Sequence, residues 1–103
     1  MLFMTIYSYE PGQRKEIFKR RLERGTGARE GIKIIGEWSY LGGHKGFMLF
    51  EANDPKVILG MTIAWSDLMK FETVPVMGAE EALKLARSLK WNFSAVVVKE
   101  ENK

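Results

Sequence analysis

The chain has no cysteine, a single histidine and only three prolines among its 103 residues. Without cysteine there are no disulfides, iron–sulfur clusters, thiol nucleophiles or cysteine-based zinc sites. One histidine excludes a histidine-rich metal site within one chain. The carboxylates Glu51, Asp54, Asp67 and Glu72 fit no metal-ligand pattern, so no metal is expected. No run of about 18 apolar residues is present, so neither a membrane span nor a membrane partner is predicted. No glycine-rich segment opens a helix: Gly25-Thr26-Gly27 reads as the end of one, and no cofactor is implied.

What is present is an ordinary globular composition, 46% apolar and 28% charged, in a length that suits one domain over residues 1–103. The start, Met1 to Tyr7, has no positive n-region and no cleavage site, so it reads as structure and the expected location is cytoplasmic. The net charge of +3 is concentrated. Arg14, Lys15, Lys19, Arg20, Arg21, Arg24 and Arg29 stand against Glu16, Glu23 and Glu30 in one short segment. Such a segment can attract phosphates, but it is equally the solvated face of a surface helix. Glu16 and Glu23 lie three or four residues from Arg20 and Lys19, where local ion pairs form. No nucleic-acid partner is expected from it.

Residues 2–9 are rich in β-branched and aromatic types and stop at Pro11, which reads as a strand followed by a helix start. The helix 12–24 turns Ile17, Phe18 and Leu22 to one side. A second strand, 32–40, and a third, 45–52, flank Leu41-Gly42-Gly43-His44, where Gly-Gly suits a hairpin turn needing positive φ. Asn53-Asp54-Pro55 then opens a helix to about Leu68, with an apolar stripe of Val57, Ile58, Met61, Ala64, Trp65 and Leu68. A fourth strand, 70–77, contains Pro75 and so belongs at a sheet edge. A helix over 79–90 and a short strand over 93–98 follow. The order β-α-β-β-α-β, with an extra C-terminal helix and strand, predicts an α+β, ferredoxin-like sandwich with both helices on one face of an antiparallel sheet.

The other sheet face then decides the function. A turn at Gly42-Gly43 pairs Tyr40 with Lys45, Trp38 with Phe47, Gly36 with Leu49 and Ile34 with Glu51, and on the opposite side Glu37 with Met48 and Ile35 with Phe50. Met4 and Ile6 of the first strand are assigned to the helix side. Phe3, Tyr7, Ile34, Trp38, Tyr40, Phe47 and Leu49 are assigned to the uncovered side, a patch too apolar to face water alone. A second copy of the chain, packed sheet against sheet, would cover it.

At these residues the sequence resembles the dimeric α+β-barrel superfamily, and within it a group of small microbial domains of unknown function. The resemblance rests on Gly36-Glu37-Trp38, on the run Gly46 to Pro55, and on Trp65-Ser66-Asp67-Leu68 with Phe71-Glu72 and Pro75-Val76, and covers about residues 2–78. It implies a dimeric α+β barrel and a homodimer and no one reaction, and the sequence leaves a further step to a tetramer open. RNA-recognition domains share the fold, and Lys45-Gly46-Phe47 matches the start of their strand-three motif. The match ends there, since Met48, Leu49 and Ala52 depart from it.

Two functions remain in view: a barrel that binds or transforms a small apolar or aromatic molecule, or a non-catalytic dimerisation module. For the first, His44 is the side chain that titrates near neutrality, and Glu51 follows an apolar run where desolvation would make it a proton carrier; these two are the catalytic candidates. Tyr7, Trp38, Phe47 and Glu72 are the ligand-binding candidates, the aromatics as stacking surfaces. Trp65 and Phe18 are assigned to the core. Whether the chain is an enzyme does not follow from the sequence.

Overall fold

Alternating apolar residues in three strands and a glycine-rich hairpin give the sheet its shape in the computed structural model, which describes residues 1–90. In chain order the elements are β1 (Leu2–Ser8), α1 (Arg14–Arg24) after a single 3-10 turn at Pro11–Gln13, β2 (Ile32–Ser39), β3 (Lys45–Ala52), α2 (Lys56–Ile63), β4 (Lys70–Val76) and α3 (Ala79–Ser88). The strands are antiparallel in the order β2-β3-β1-β4. That order, with α1 and α2 as crossovers, is the ferredoxin-like arrangement expected from the sequence. Pro75 sits on β4, an edge strand, where its missing N–H breaks no ladder. The strand expected at 93–98 lies outside the described residues.

The core joins the sheet to α2. Phe50 is completely buried and clusters with Phe3, Met48, Ala52 and Met61, with Ile32, Ile34, Val57 and Ile58 packed around them. Phe3 stacks on Phe50 with ring centroids 5.7 Å apart. Trp65, past the end of α2, is also buried and donates its indole N–H to the Thr26 carbonyl at 2.8 Å. The helix stops at Ile63 rather than Leu68, and turns carry the chain on to β4. At its start, Asp54 accepts the Lys56 amide at 3.0 Å from one residue ahead of the N-cap, which falls on Pro55.

Three sequence expectations about facing are corrected. In β1 the sides are reversed: Phe3, Thr5 and Tyr7 are buried against the helices, whereas Met4 and Ile6 face outward and Ile6 is exposed. Alternation assigns two sides but not which one is inside, and the pairing Phe3↔Phe50 settles it. In β2 the register slips between Ile34 and Gly36, so Ile34 pairs with Phe50 and Lys33 with Glu51. This bulge turns Ile34 into the core and leaves Ile35 half exposed; the pairs Trp38↔Phe47, Gly36↔Leu49 and Glu37↔Met48, nearer the turn, are as expected. On α1 only Ile17 is buried: Phe18 is half exposed and Leu22 is 88% exposed. The helix is held to the domain by arginines instead of by an apolar stripe.

Candidate functional site

The hairpin turn is wider than its Gly-Gly pair suggested. Tyr40 receives the closing bonds, its amide donating to Lys45 O and its carbonyl accepting from Gly43, each at 2.9 Å. The positive φ angles fall on Gly43 (84°) and His44 (66°) rather than on Gly42 and Gly43. His44 is one of the few residue types that tolerate this backbone region. Beyond the turn comes Gly46, buried and paired with Tyr7 across the β3–β1 ladder. A Cβ at Gly46 would run into the Tyr7 hydroxyl and the Trp38 carbonyl. The missing side chain lets the Tyr7 phenol lie across β3 and reach Glu37 on β2.

There the Tyr7 hydroxyl donates to Glu37 Oε2 at 2.8 Å. Arg21, from the underside of α1, donates one terminal nitrogen to the same oxygen at 3.0 Å and the other to Oε1. Three elements, α1, β1 and β2, therefore meet at one carboxylate. Burial pushes the Glu37 carboxyl up, but the hydrogen bonds from Arg21 and Tyr7 outweigh it and hold it below the ordinary carboxylate value. Tyr7 is pushed up to about 12, first by burial and then by its bond to the Glu37 carboxylate. At neutral pH the constellation is thus an ionised Glu37–Arg21 pair bonded by a neutral phenol.

This group forms the polar wall of a pocket of about 300 Å³ between α1 and the sheet. Its other walls include Ile17 and Phe18 of α1, Met48 of β3, Met61 of α2, and Trp65, Met69 and Phe71 around the start of β4. An apolar pocket with a few convergent polar groups is the form that small-molecule sites take. A second clasp ties α1 to the turns after α2. Arg20 binds Asp67 in a bidentate pair at 2.7 and 2.8 Å, reaches Ala64 O at 3.1 Å, and lies over the Trp65 ring at 5.6 Å. Hydrogen bonds from Arg20 hold the Asp67 carboxyl below its ordinary value.

The sequence candidates are distributed over both sides of the sheet. Tyr7 alone lines the α1-side pocket. Trp38 and Phe47 stack at 5.1 Å on the opposite face, with the Tyr40 ring edge-on to Phe47. Glu51 and Glu72 are exposed on that same face, paired with Leu2 and Ile6 of β1. His44 stands at the hairpin end, edge-on to Tyr9, and its Nδ1 is buried without a partner among the described residues. Glu37 and Arg21, the charged members of the pocket, were not among the candidates. Glu37 lies inside Gly36-Glu37-Trp38 and Arg21 inside the basic run, and their meeting is a matter of tertiary placement. Among the described residues no cluster of three or more histidines or carboxylates could hold a metal ion, and no helix is long and apolar enough to cross a membrane.

No curated protein matches the chain. Among solved structures it is similar to an uncharacterized NIPSNAP-like domain protein from Burkholderia xenovorans, at 14% identity and a TM-score of 0.48 over 76% of this chain and 85% of that one. A NIPSNAP domain protein from the same organism is similar at 14% identity and 0.49, over 77% and 96%. A proposed antibiotic biosynthesis monooxygenase from Deinococcus radiodurans is similar at 9% identity and 0.47, over 77% and 95%. The family model described as Domain of unknown function (DUF3303) matches residues 1–90, the whole of the domain built above, and to that family the chain belongs.

Proposed function

We propose that the protein binds a small, largely apolar molecule in the α1-side pocket, with Tyr7, Glu37 and Arg21 as its polar anchor. The observation that carries this reading is the pocket of about 300 Å³ whose apolar walls enclose one fully assembled charged constellation. The constellation lines open space, where a small molecule can reach it. Three of the six methionines, Met48, Met61 and Met69, also line it and serve as reporters. Titrating indane into protein labelled with 13C at the methionine methyls should shift those three signals and leave Met1 and Met77 in place. Unmoved signals up to the solubility of indane would refute the reading.

The same proposal includes a homodimer, built sheet to sheet through the opposite face. Trp38, Ile35 and Tyr40 are 44–49% exposed there, beside Phe47, Leu49 and Met4. So many large apolar side chains on one face favour a covering partner. In that dimer Trp38, Phe47, Glu51 and Glu72 would line the layer between the sheets, with His44 at its mouth. Light scattering should return about twice 11.8 kDa; a monomer mass at micromolar concentration would refute it. Arg20 and Arg21 are already engaged with Asp67 and Glu37, which supports the reading of α1 as no nucleic-acid site.

A further inference from the structure

Resting on the proposed use of the α1-side pocket, we propose that its ligand carries one uncharged hydroxyl on an apolar body, and that the Arg21–Glu37 pair rejects the corresponding carboxylate. The donors and acceptors still free at the anchor decide the class. An ionised carboxylate offers roughly four acceptor positions. On Glu37, Tyr7 and one Arg21 nitrogen share Oε2, and the other Arg21 nitrogen meets Oε1. One position on Oε1 remains. Arg21 retains further N–H groups beside it, since a guanidinium has five and the pair occupies two. A head group seated there must donate one bond and accept another, side by side, which a hydroxyl does.

Charged head groups fit badly. A carboxylate can only accept, and it would lie against Glu37 after Arg21 has already been neutralised. An ammonium can only donate, and it would lie against Arg21. Of the other polar side chains around the pocket, the Thr5 hydroxyl is bonded to Thr73 at 2.7 Å and the Trp65 indole N–H to Thr26 O at 2.8 Å, while Ser39, beside Tyr7, and Tyr9 add uncharged hydroxyls that suit a neutral partner better than an ion. The remaining walls near the anchor, Ile17, Met48 and Phe71 among them, ask for an apolar body.

Three probes on one skeleton test this: cyclohexylmethanol, methylcyclohexane and cyclohexanecarboxylate, each titrated at neutral pH against the methionine methyls of the whole chain. Cyclohexylmethanol should bind about tenfold more tightly than either of the others, the ratio expected for one hydrogen-bonded head group in a half-buried site. Glu37→Gln frees Arg21, so cyclohexanecarboxylate should gain about tenfold relative to cyclohexylmethanol. A misfolded variant could not show such a gain. Equal binding of alcohol and carboxylate, equal binding of alcohol and hydrocarbon, or an unchanged ratio in Glu37→Gln would each overturn the hydroxyl assignment. In those three cases shifts at Met48, Met61 and Met69 would leave the pocket itself standing. If none of the probes moves those methyls up to its solubility, the pocket reading and the hydroxyl assignment fall together.

Discussion

Replacing Tyr7 with Phe removes one oxygen from the centre of the domain and leaves the ring where it is. The lost interaction is the 2.8 Å bond from the phenol to the Glu37 carboxylate. A hydrogen bond to a charged group contributes about 1.5–3 kcal/mol net. Arg21 continues to bond both carboxylate oxygens, and the adjoining pocket has room for a water to take the vacated position, so the lower end applies. Tyr7→Phe should therefore cost about 1.5 kcal/mol at neutral pH, a fall in Tm of roughly 6–12 °C for a domain of this length. Urea unfolding followed by circular dichroism gives the number. Its pH dependence has a definite sign. Glu37 is held below its ordinary value of 4.5, so the stability it contributes is present above that value and is lost as pH falls through the depressed one. Because Tyr7 is one cause of the depression, the gap between wild type and Tyr7→Phe should narrow below pH 4.5. On the alkaline side Tyr7 is pushed up to about 12, so the wild-type advantage should also fade from the ordinary tyrosine value of 10.0 upward. A gap below about 0.5 kcal/mol that is flat in pH would mean that the bond contributes nothing.

Phe50→Ala empties a completely buried site in the core and should cost about 3–5 kcal/mol, much of the stability of a small domain, read as a collapse of the urea midpoint. Gly46→Ala places a methyl where the Tyr7 hydroxyl lies and should cost about 1–3 kcal/mol. Adding Tyr7→Phe to it should then cost less than Tyr7→Phe alone, because the bond to Glu37 is already disturbed; full additivity would contradict this. Leu22→Ala, at a position 88% exposed, should stay within about 0.5 kcal/mol of wild type despite looking like a core residue on a helical wheel. Labelled single-stranded RNA and duplex DNA should show no anisotropy change with the chain in about 0.15 M salt.

Local chemistry was legible wherever one residue decides. Pro11 and Gly25 bound the first helical segment, Asp54 and Pro55 start the second, and Pro75 sends its strand to an edge. The element order and the sheet class followed from these punctuation marks and from periodicity. Facing was not legible in the same way. Alternation along β1 is the same pattern for either side, and the one local sign of the bulge at Ile35 is the neighbouring strand-interior Gly36, which does not say by how much or which way the register slips. Helical spacing groups Leu22 with Ile17 and Phe18 because it rewards apolar residues wherever they stand, yet α1 is tied down by Arg20 and Arg21, whose charge reads as solvation.

The pocket shows the same division more sharply. By itself the sequence determined that a tyrosine, a glutamate, an arginine and a glycine occupy positions 7, 37, 21 and 46 on β1, β2, the basic helix and β3. Only the tertiary structure decided that they form one object. The antiparallel register sets Tyr7 opposite Gly46, Gly46 leaves the space a side chain would fill, and the crossover of α1 lowers Arg21 onto Glu37. Each step depends on contacts between residues far apart in the chain, and such contacts leave no periodic trace in the sequence. What the residues could do locally was written in order along the chain; which of them would meet was fixed by the pairing of the strands.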